Sequence, residues 1–203
     1  MVNCSSPGDG IDLEAFLLST GIVALAEIGD KTQLLAFILA AKFRKPWPIV
    51  AGILVATIFN HAMAGAVGHF VSALIDPHWL RWGLGVSFIL MAVWTLIPDK
   101  LDEGDTKLAH AGVFMTTLIA FFLAEMGDKT QVATVALAAR YASLAPVVLG
   151  TTLGMMIANV PAVLLANRIA NRIPVRVVHG VAAAIFAVLG VATLLGAGQG
   201  LGI

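Results

Sequence analysis

The sequence predicts an all-α integral membrane protein with six transmembrane helices in two inverted three-helix repeats. Three observations predict it. First, 59% of the 203 residues are apolar and only 12% are charged, with a mean hydropathy of +0.94. Soluble domains run to about 25% charged residues, so most of this surface must meet lipid. Second, six apolar windows each approach or exceed the ~20 residues that cross a bilayer core as a helix. Third, the two halves of the chain superimpose when shifted by 98 residues.

The windows run, in order, Leu13–Lys42, Trp47–Ile75, Leu80–Ile97, Ala111–Tyr141, Leu144–Ala170 and Val175–Ala197. The first, second, fourth and fifth exceed the length needed, which fits tilted or broken helices. Arg44-Lys45-Pro46 and Asp76-Pro77-His78 separate the first three. A charged run, Pro98 to Asp105, falls mid-chain, and Ser143 to Pro146 and Asn171 to Pro174 divide the rest. These breaks predict a first repeat over 1–97, a charged cytoplasmic loop over 98–110 and a second repeat over 111–203, within one membrane domain. The leader Met1 to Asp12 lacks Lys and Arg, unlike the basic start of a signal peptide, so the first window is read as a retained span. Cys4 is the one cysteine and forms no disulfide within a monomer.

Basic residues set orientation, because loops rich in them stay cytoplasmic. With the N-terminus outside, the cytoplasmic loops hold Lys42, Arg44, Lys45, Lys100, Lys107, Arg168, Arg172 and Arg176, and the outer loops hold only Arg81 and Arg140. Both termini are therefore expected outside. The formal net charge is zero with no basic block, which excludes a nucleic-acid surface.

The repeat is sharpest at Leu25–Gln33 over Leu123–Gln131, where Ile28/Met126 is the one difference in nine positions. Phe16 over Phe114, Pro48 over Pro146 and Gly52 over Gly150 extend it without a gap. Each half carries an odd number of spans, so the second enters the membrane from the opposite side, the architecture of many secondary transporters. Such folds place the substrate near mid-membrane between the repeats, where Glu27 and Glu125 fall.

Carboxylates within a span cost roughly 2.5–3.5 kcal/mol each, and this chain has Glu27, Asp30, Glu125 and Asp128 there. If each motif is helical, its Glu and Asp share one face, and the two motifs surround a small space with four acids. Carboxylates suit hard divalent cations such as Mg2+, Ca2+ and Mn2+. Thr32, Gln33, Thr130 and Gln131 are expected to add neutral oxygens or hold the acids. Gly29 and Gly127 weaken the helix and let it unwind to expose carbonyls. Lys31 and Lys129, four residues after each Glu, are placed for a helical ion pair. Four negative and two positive charges leave two negative, matching one divalent ion or two protons, the exchange an antiporter needs. The bland reading is that these are structural ion pairs, but intramembrane ionisable groups are by default functional.

Asn60, His61 and Asn159 lie mid-span and are candidates for direct or supporting contacts; otherwise they are interhelical hydrogen-bond partners. Asn159 falls on His61 in the repeat register. His69 is placed near a helix end, and His78, His110 and His179 in or near loops. Met63, Met126, Met155 and Met156 read as packing, though a thioether beside the site favours Mn2+ over Ca2+. Trp47, Trp79, Trp82 and Trp94 near span ends read as interface anchors.

The paired Glu27–Thr32 and Glu125–Thr130 segments resemble the cation/proton antiporter family defined by two E-x-G-D-[KR]-[TS] motifs, whose members include bacterial manganese exporters and a Golgi Mn2+/Ca2+ transporter. Both motifs match in full and the likeness spans nearly the whole chain. It implies Mn2+ efflux across a bacterial plasma membrane in exchange for protons, with the four acids binding the ion and the threonines and glutamines shaping the site. The ion is then a transported substrate, no cofactor is expected and the chain is not an enzyme. The alternatives are a Ca2+/proton antiporter of the same family, a passive cation channel or, in another class, a metal-dependent lipid-phosphate hydrolase. The last usually needs Arg, Ser or His beside its acids, and both motifs lack them.

Overall fold

The structure, a computed structural model, describes residues 7–96, 112–141, 143–165 and 175–195. The expected loop at 98–110, with Lys100, Lys107 and His110, lies outside these residues, as do Cys4, Arg168 and Arg172. The side chains of Arg176 and His179 are also outside the description.

Eight helices and no strand are found among the described residues: α1 Pro7–Glu27, α2 Lys31–Phe43, α3 Pro46–Leu74, α4 Pro77–Thr95, α5 Val113–Glu125, α6 Lys129–Tyr141, α7 Leu144–Leu164 and α8 Val175–Leu194. The first and fourth windows each break in two, directly after Glu27 and after Glu125. At both breaks the backbone turns through a glycine at positive φ, 84° at Gly29 and 76° at Gly127, a region where a Cβ is strained. Of the eight helices, α3 and α7 are individually long and apolar enough to cross a membrane.

One boundary differs from expectation. Asp76-Pro77-His78 opens α4 rather than standing apart as a loop: Asp76 Oδ1 accepts from the His78 N–H at 2.8 Å, and Pro77 takes the first helical position, where no N–H is needed. The described part of α7 runs to Leu164, and the expected end of its window at Ala170 lies outside the described residues.

The packing repeats with the register. α1 lies along α7 as α5 lies along α3, while α3 meets α7 and α4 meets α8. Glycines set the closest approaches. A Cβ on Gly150 would stand 2.5 Å from the Phe16 carbonyl oxygen and 3.0 Å from Ser19 Cβ; one on Gly52 would stand 2.9 Å from the Phe114 carbonyl oxygen and 2.8 Å from Thr117 Cβ. Phe16 and Ser19 are the register counterparts of Phe114 and Thr117. The middle of α1 therefore abuts the first part of α7, and the start of α5 abuts the first part of α3.

Polarity is reversed relative to a water-soluble globule. Glu27, Asp30, Glu125, Asp128 and Lys129 are buried, whereas Leu17, Phe59, Phe70, Leu74, Leu90 and Val188 are exposed. Trp47, Trp79 and Trp82 are exposed close to the starts of α3 and α4, as interface anchors require. Trp94 is instead half-buried against a core that includes Phe88 and Phe186.

Candidate functional site

The two breaks are built alike. Asp30 N–H donates to the Glu27 carbonyl at 3.1 Å and Asp128 N–H to the Glu125 carbonyl at 3.0 Å, tying each new helix to the end of the old one. Gln33 Oε1 accepts from the Gly29 N–H at 2.8 Å, and Gln131 Oε1 from the Gly127 N–H at 2.6 Å. Each glutamine thus reaches back over the first turn of its helix, much as in a capping box. Asp-x-x-Gln is a start signal visible in the sequence, and it would have located α2 and α6.

This geometry corrects two expectations. The Glu and Asp of a motif do not share a helical face: Glu27 and Glu125 end α1 and α5, while Asp30 precedes α2 and Asp128 precedes α6. Nor do the lysines pair with the Glu four residues earlier. Lys31 Nζ stands 3.0 Å from Asp128 Oδ1 and Lys129 Nζ 3.6 Å from Asp30 Oδ1. Unwinding at the glycines removes the i,i+4 relation, so each lysine crosses to the other motif's aspartate. Asp30, which stands at the cap position of α2 without a side-chain cap bond, is turned to that role instead.

The glutamates meet different neighbours. Thr130 Oγ1 donates to Glu125 Oε2 at 2.9 Å. Asn159 Nδ2, from α7, stands 3.3 Å from Glu27 Oε1. Glu27 lies within Coulombic range of Glu125, Asp30 and Asp128, so the acids share one electrostatic neighbourhood. They do not form a tight cage: among the described residues, no three His, Cys, Asp or Glu side chains are grouped so as to hold one metal ion. Glu27 Oε2, Glu125 Oε1 and Asp128 Oδ2 are buried without a hydrogen-bond partner, and a buried carboxylate oxygen in that position has acceptor capacity to spare.

The remaining predicted residues fall around this neighbourhood. Gln33 Nε2 donates to the Ala158 carbonyl at 3.0 Å, joining α2 to α7. Asn60 Nδ2 donates to the Phe122 carbonyl at 3.1 Å, joining α3 to α5. Thr32 Oγ1 and both ring nitrogens of His61 are buried without hydrogen-bond partners. Met155 is closer to the site than a packing residue need be, because its Sδ is 3.0 Å from Asn159 Nδ2. Its place four residues before Asn159 on one helix was the signal for that contact.

An all-helical molecule with an apolar exterior and ionisable groups gathered in its interior defines a membrane transport protein. One family model, described as "Divalent cation/proton antiporter GDT1", matches the chain twice, over residues 15–103 and 113–200. The chain belongs to this GDT1 family. A "Putative manganese exporter" of Vibrio cholerae is 49% identical over 182 residues, covering 89% of this chain and 90% of the relative. "GDT1-like protein sll0615" of Synechocystis is 26% identical, covering 87% of this chain and 96% of the relative. "GDT1-like protein 5" of Arabidopsis thaliana is 26% identical, covering 90% and 96%. No solved structure matches the chain. The family match and the names of the relatives indicate a transporter of divalent cations rather than an enzyme.

Proposed function

We propose that the chain exports Mn2+ from the cytoplasm in exchange for protons, by alternating access at a site made from both motifs. The observation that carries this reading is the set of buried, unpartnered carboxylate oxygens on Glu27, Glu125 and Asp128, gathered from two helix breaks. Oxygens so placed need either protons or a cation. The 49% identity to the Vibrio cholerae relative supports Mn2+ as the ion.

In this mechanism cytoplasmic Mn2+ displaces protons from Glu27, Asp30, Glu125 and Asp128. The halves rock, the ion leaves outside, and returning protons reset the acids. The cross-pairs of Lys31 with Asp128 and Lys129 with Asp30 tie the two motifs to each other. An inverted relation of the repeats fits the packing of the register counterparts α3 and α7. Gly65, late in α3, meets Leu144 and Val148 at the start of α7, while Ile49 and Ile53, early in α3, share a core with Ala162 and Val163 at the end of α7, so the two run antiparallel. Counting each broken pair as one span gives six, with both termini outside the bacterial inner membrane and basic residues of the α2–α3 turn inside.

The test is flux in proteoliposomes. Saturable Mn2+ movement that responds to an imposed pH gradient is expected, and its loss in both Glu27→Gln and Glu125→Gln. Wild-type rates in both variants would sink the reading, while flux indifferent to the pH gradient would remove the proton from it. A parallel Ca2+ trace decides between Mn2+ and Ca2+ as the preferred ion.

A further inference from the structure

The side-chain nitrogen of Asn159 stands among acceptors only. Nδ2 is 3.3 Å from Glu27 Oε1, 3.2 Å from the Met155 carbonyl oxygen and 3.0 Å from Met155 Sδ. Carboxylate, carbonyl and thioether lone pairs all face this point, so an amide oxygen turned towards it would be repelled, and the nitrogen assignment follows. An NH2 group has two protons for these three acceptors. At the other end of the amide, Asn159 Oδ1 is buried without a partner, as is Glu27 Oε2. Glu27, Met155 and Asn159 are all fully buried.

A point lined by a carboxylate, a carbonyl and a sulfur, with a spare amide oxygen next to it, has the chemistry of a cation seat held by a neutral placeholder. We propose that the transported ion binds at this point, displacing Asn159 Nδ2, and that Met155 Sδ is the ligand that ranks Mn2+ above Ca2+. Rotation of the amide brings Asn159 Oδ1 to the ion beside Glu27. The sulfur ranks ions by serving a transition ion as a ligand while offering Ca2+ no oxygen. Ca2+ takes six to eight oxygen ligands, whereas a first-row transition ion accepts nitrogen and sulfur donors. The ranking is one-sided. The register counterparts of Met155 and Asn159 are Thr57 and His61 on α3, also buried, and neither carries sulfur.

This inference rests on the proposed transport function, and its test separates the two. Mn2+ uptake into proteoliposomes is competed with Ca2+ and with Cd2+, a thiophilic ion of nearly the same size as Ca2+. In the wild type Cd2+ competes at markedly lower concentration than Ca2+. Met155→Leu, which conserves volume and is tolerated in cores, cuts that advantage by roughly tenfold, the lower end of the cost of removing a group around a metal, and lets Ca2+ compete with Mn2+ at lower concentration than in the wild type. Met155→Gln, with an oxygen in place of the sulfur, strengthens Ca2+ competition. Equal competition by Cd2+ and Ca2+ in the wild type, which needs no variant, overturns the proposal, as does a Met155→Leu protein that keeps the full Cd2+ advantage. If Glu27→Gln is inactive while Met155→Leu keeps wild-type selectivity, this inference alone falls. If Glu27→Gln transports at the wild-type rate, the transport site falls with it.

Discussion

The two copies of the motif have the same local structure and unequal surroundings. Both break after the glutamate, both turn through a glycine at positive φ, and both close the turn with a glutamine oxygen. Yet the Lys129 side chain is 1% exposed in its pair with Asp30, while Lys31 is 21% exposed in its pair with Asp128. Met126 and Gly127 are exposed, whereas Ile28 and Gly29 are half-buried. Nearly identical sequence fixes the local conformation. The inequality comes from helices that the duplication has not kept alike, with Met155, Asn159 and Pro161 on α7 standing where α3 has Thr57, His61 and Met63. The lesson is that symmetry here lives in the backbone of the breaks, and chemistry in what faces them.

The sharpest way to break this comparison is to remove each lysine in turn. Lys129→Gln takes the buried cation away from the buried Asp30 carboxylate and is expected to destabilise the protein by about 3–5 kcal/mol. Lys31→Gln takes the cation from an equally buried aspartate, Asp128, but from a lysine that is itself partly exposed, so a smaller loss of about 1.5–3 kcal/mol is expected. Thermal unfolding in detergent reads both, and equal shifts would show that the burial difference carries no energy.

A smaller effect is expected at the glycine contacts. Gly150→Ala drives a Cβ towards the Phe16 carbonyl and Gly52→Ala towards the Phe114 carbonyl. Backbone oxygens in helices do not move aside cheaply, so each substitution costs about 1–3 kcal/mol, with Gly150 the worse because its contact is the shorter. The same melts measure this order, and a milder Gly150 variant would contradict it.

Smallest is the difference between the glutamines. Gln33→Ala loses both the bond to Gly29 and the bond to Ala158, so it is expected to exceed Gln131→Ala by about 1 kcal/mol, the net worth of one hydrogen bond. Amide exchange at Gly29 and Gly127 offers a direct reading, since both N–H groups lose protection when their glutamine is removed.

Much of this was legible in the sequence, for physical reasons that differ by residue. The 98-residue register carried the pairing of Gly52 with Gly150 and of Phe16 with Phe114, because close backbone contact leaves little but glycine at the crossing point. Gly29 and Gly127 beside buried acids pointed to unwinding, and the helices do break there. What the sequence did not reveal was a consequence of that same unwinding. Once the helix is broken, the i,i+4 rule that assigned Lys31 to Glu27 no longer applies, and the partner lies in the other half of the chain. The contact of Asn159 with Glu27 was hidden for a related reason, since it depends on how α7 crosses α1. Asp76-Pro77 does separate two helices as read, but α4 starts at Pro77 rather than Leu80, because the residues that close one helix also cap the next.

The cross-pairing of the motifs sets an order of events during synthesis. Asp30 leaves the ribosome roughly a hundred residues ahead of Lys129, its partner in the finished molecule. At the usual pace of about 5–20 residues per second, the first half waits on the order of 5–20 s for its counter-charge. Through that interval the residues that Asp30 and Lys31 pair with across the motifs have not yet been made. A chain stopped at its midpoint would hold two charges whose partners, Lys129 and Asp128, lie in the second copy of the motif.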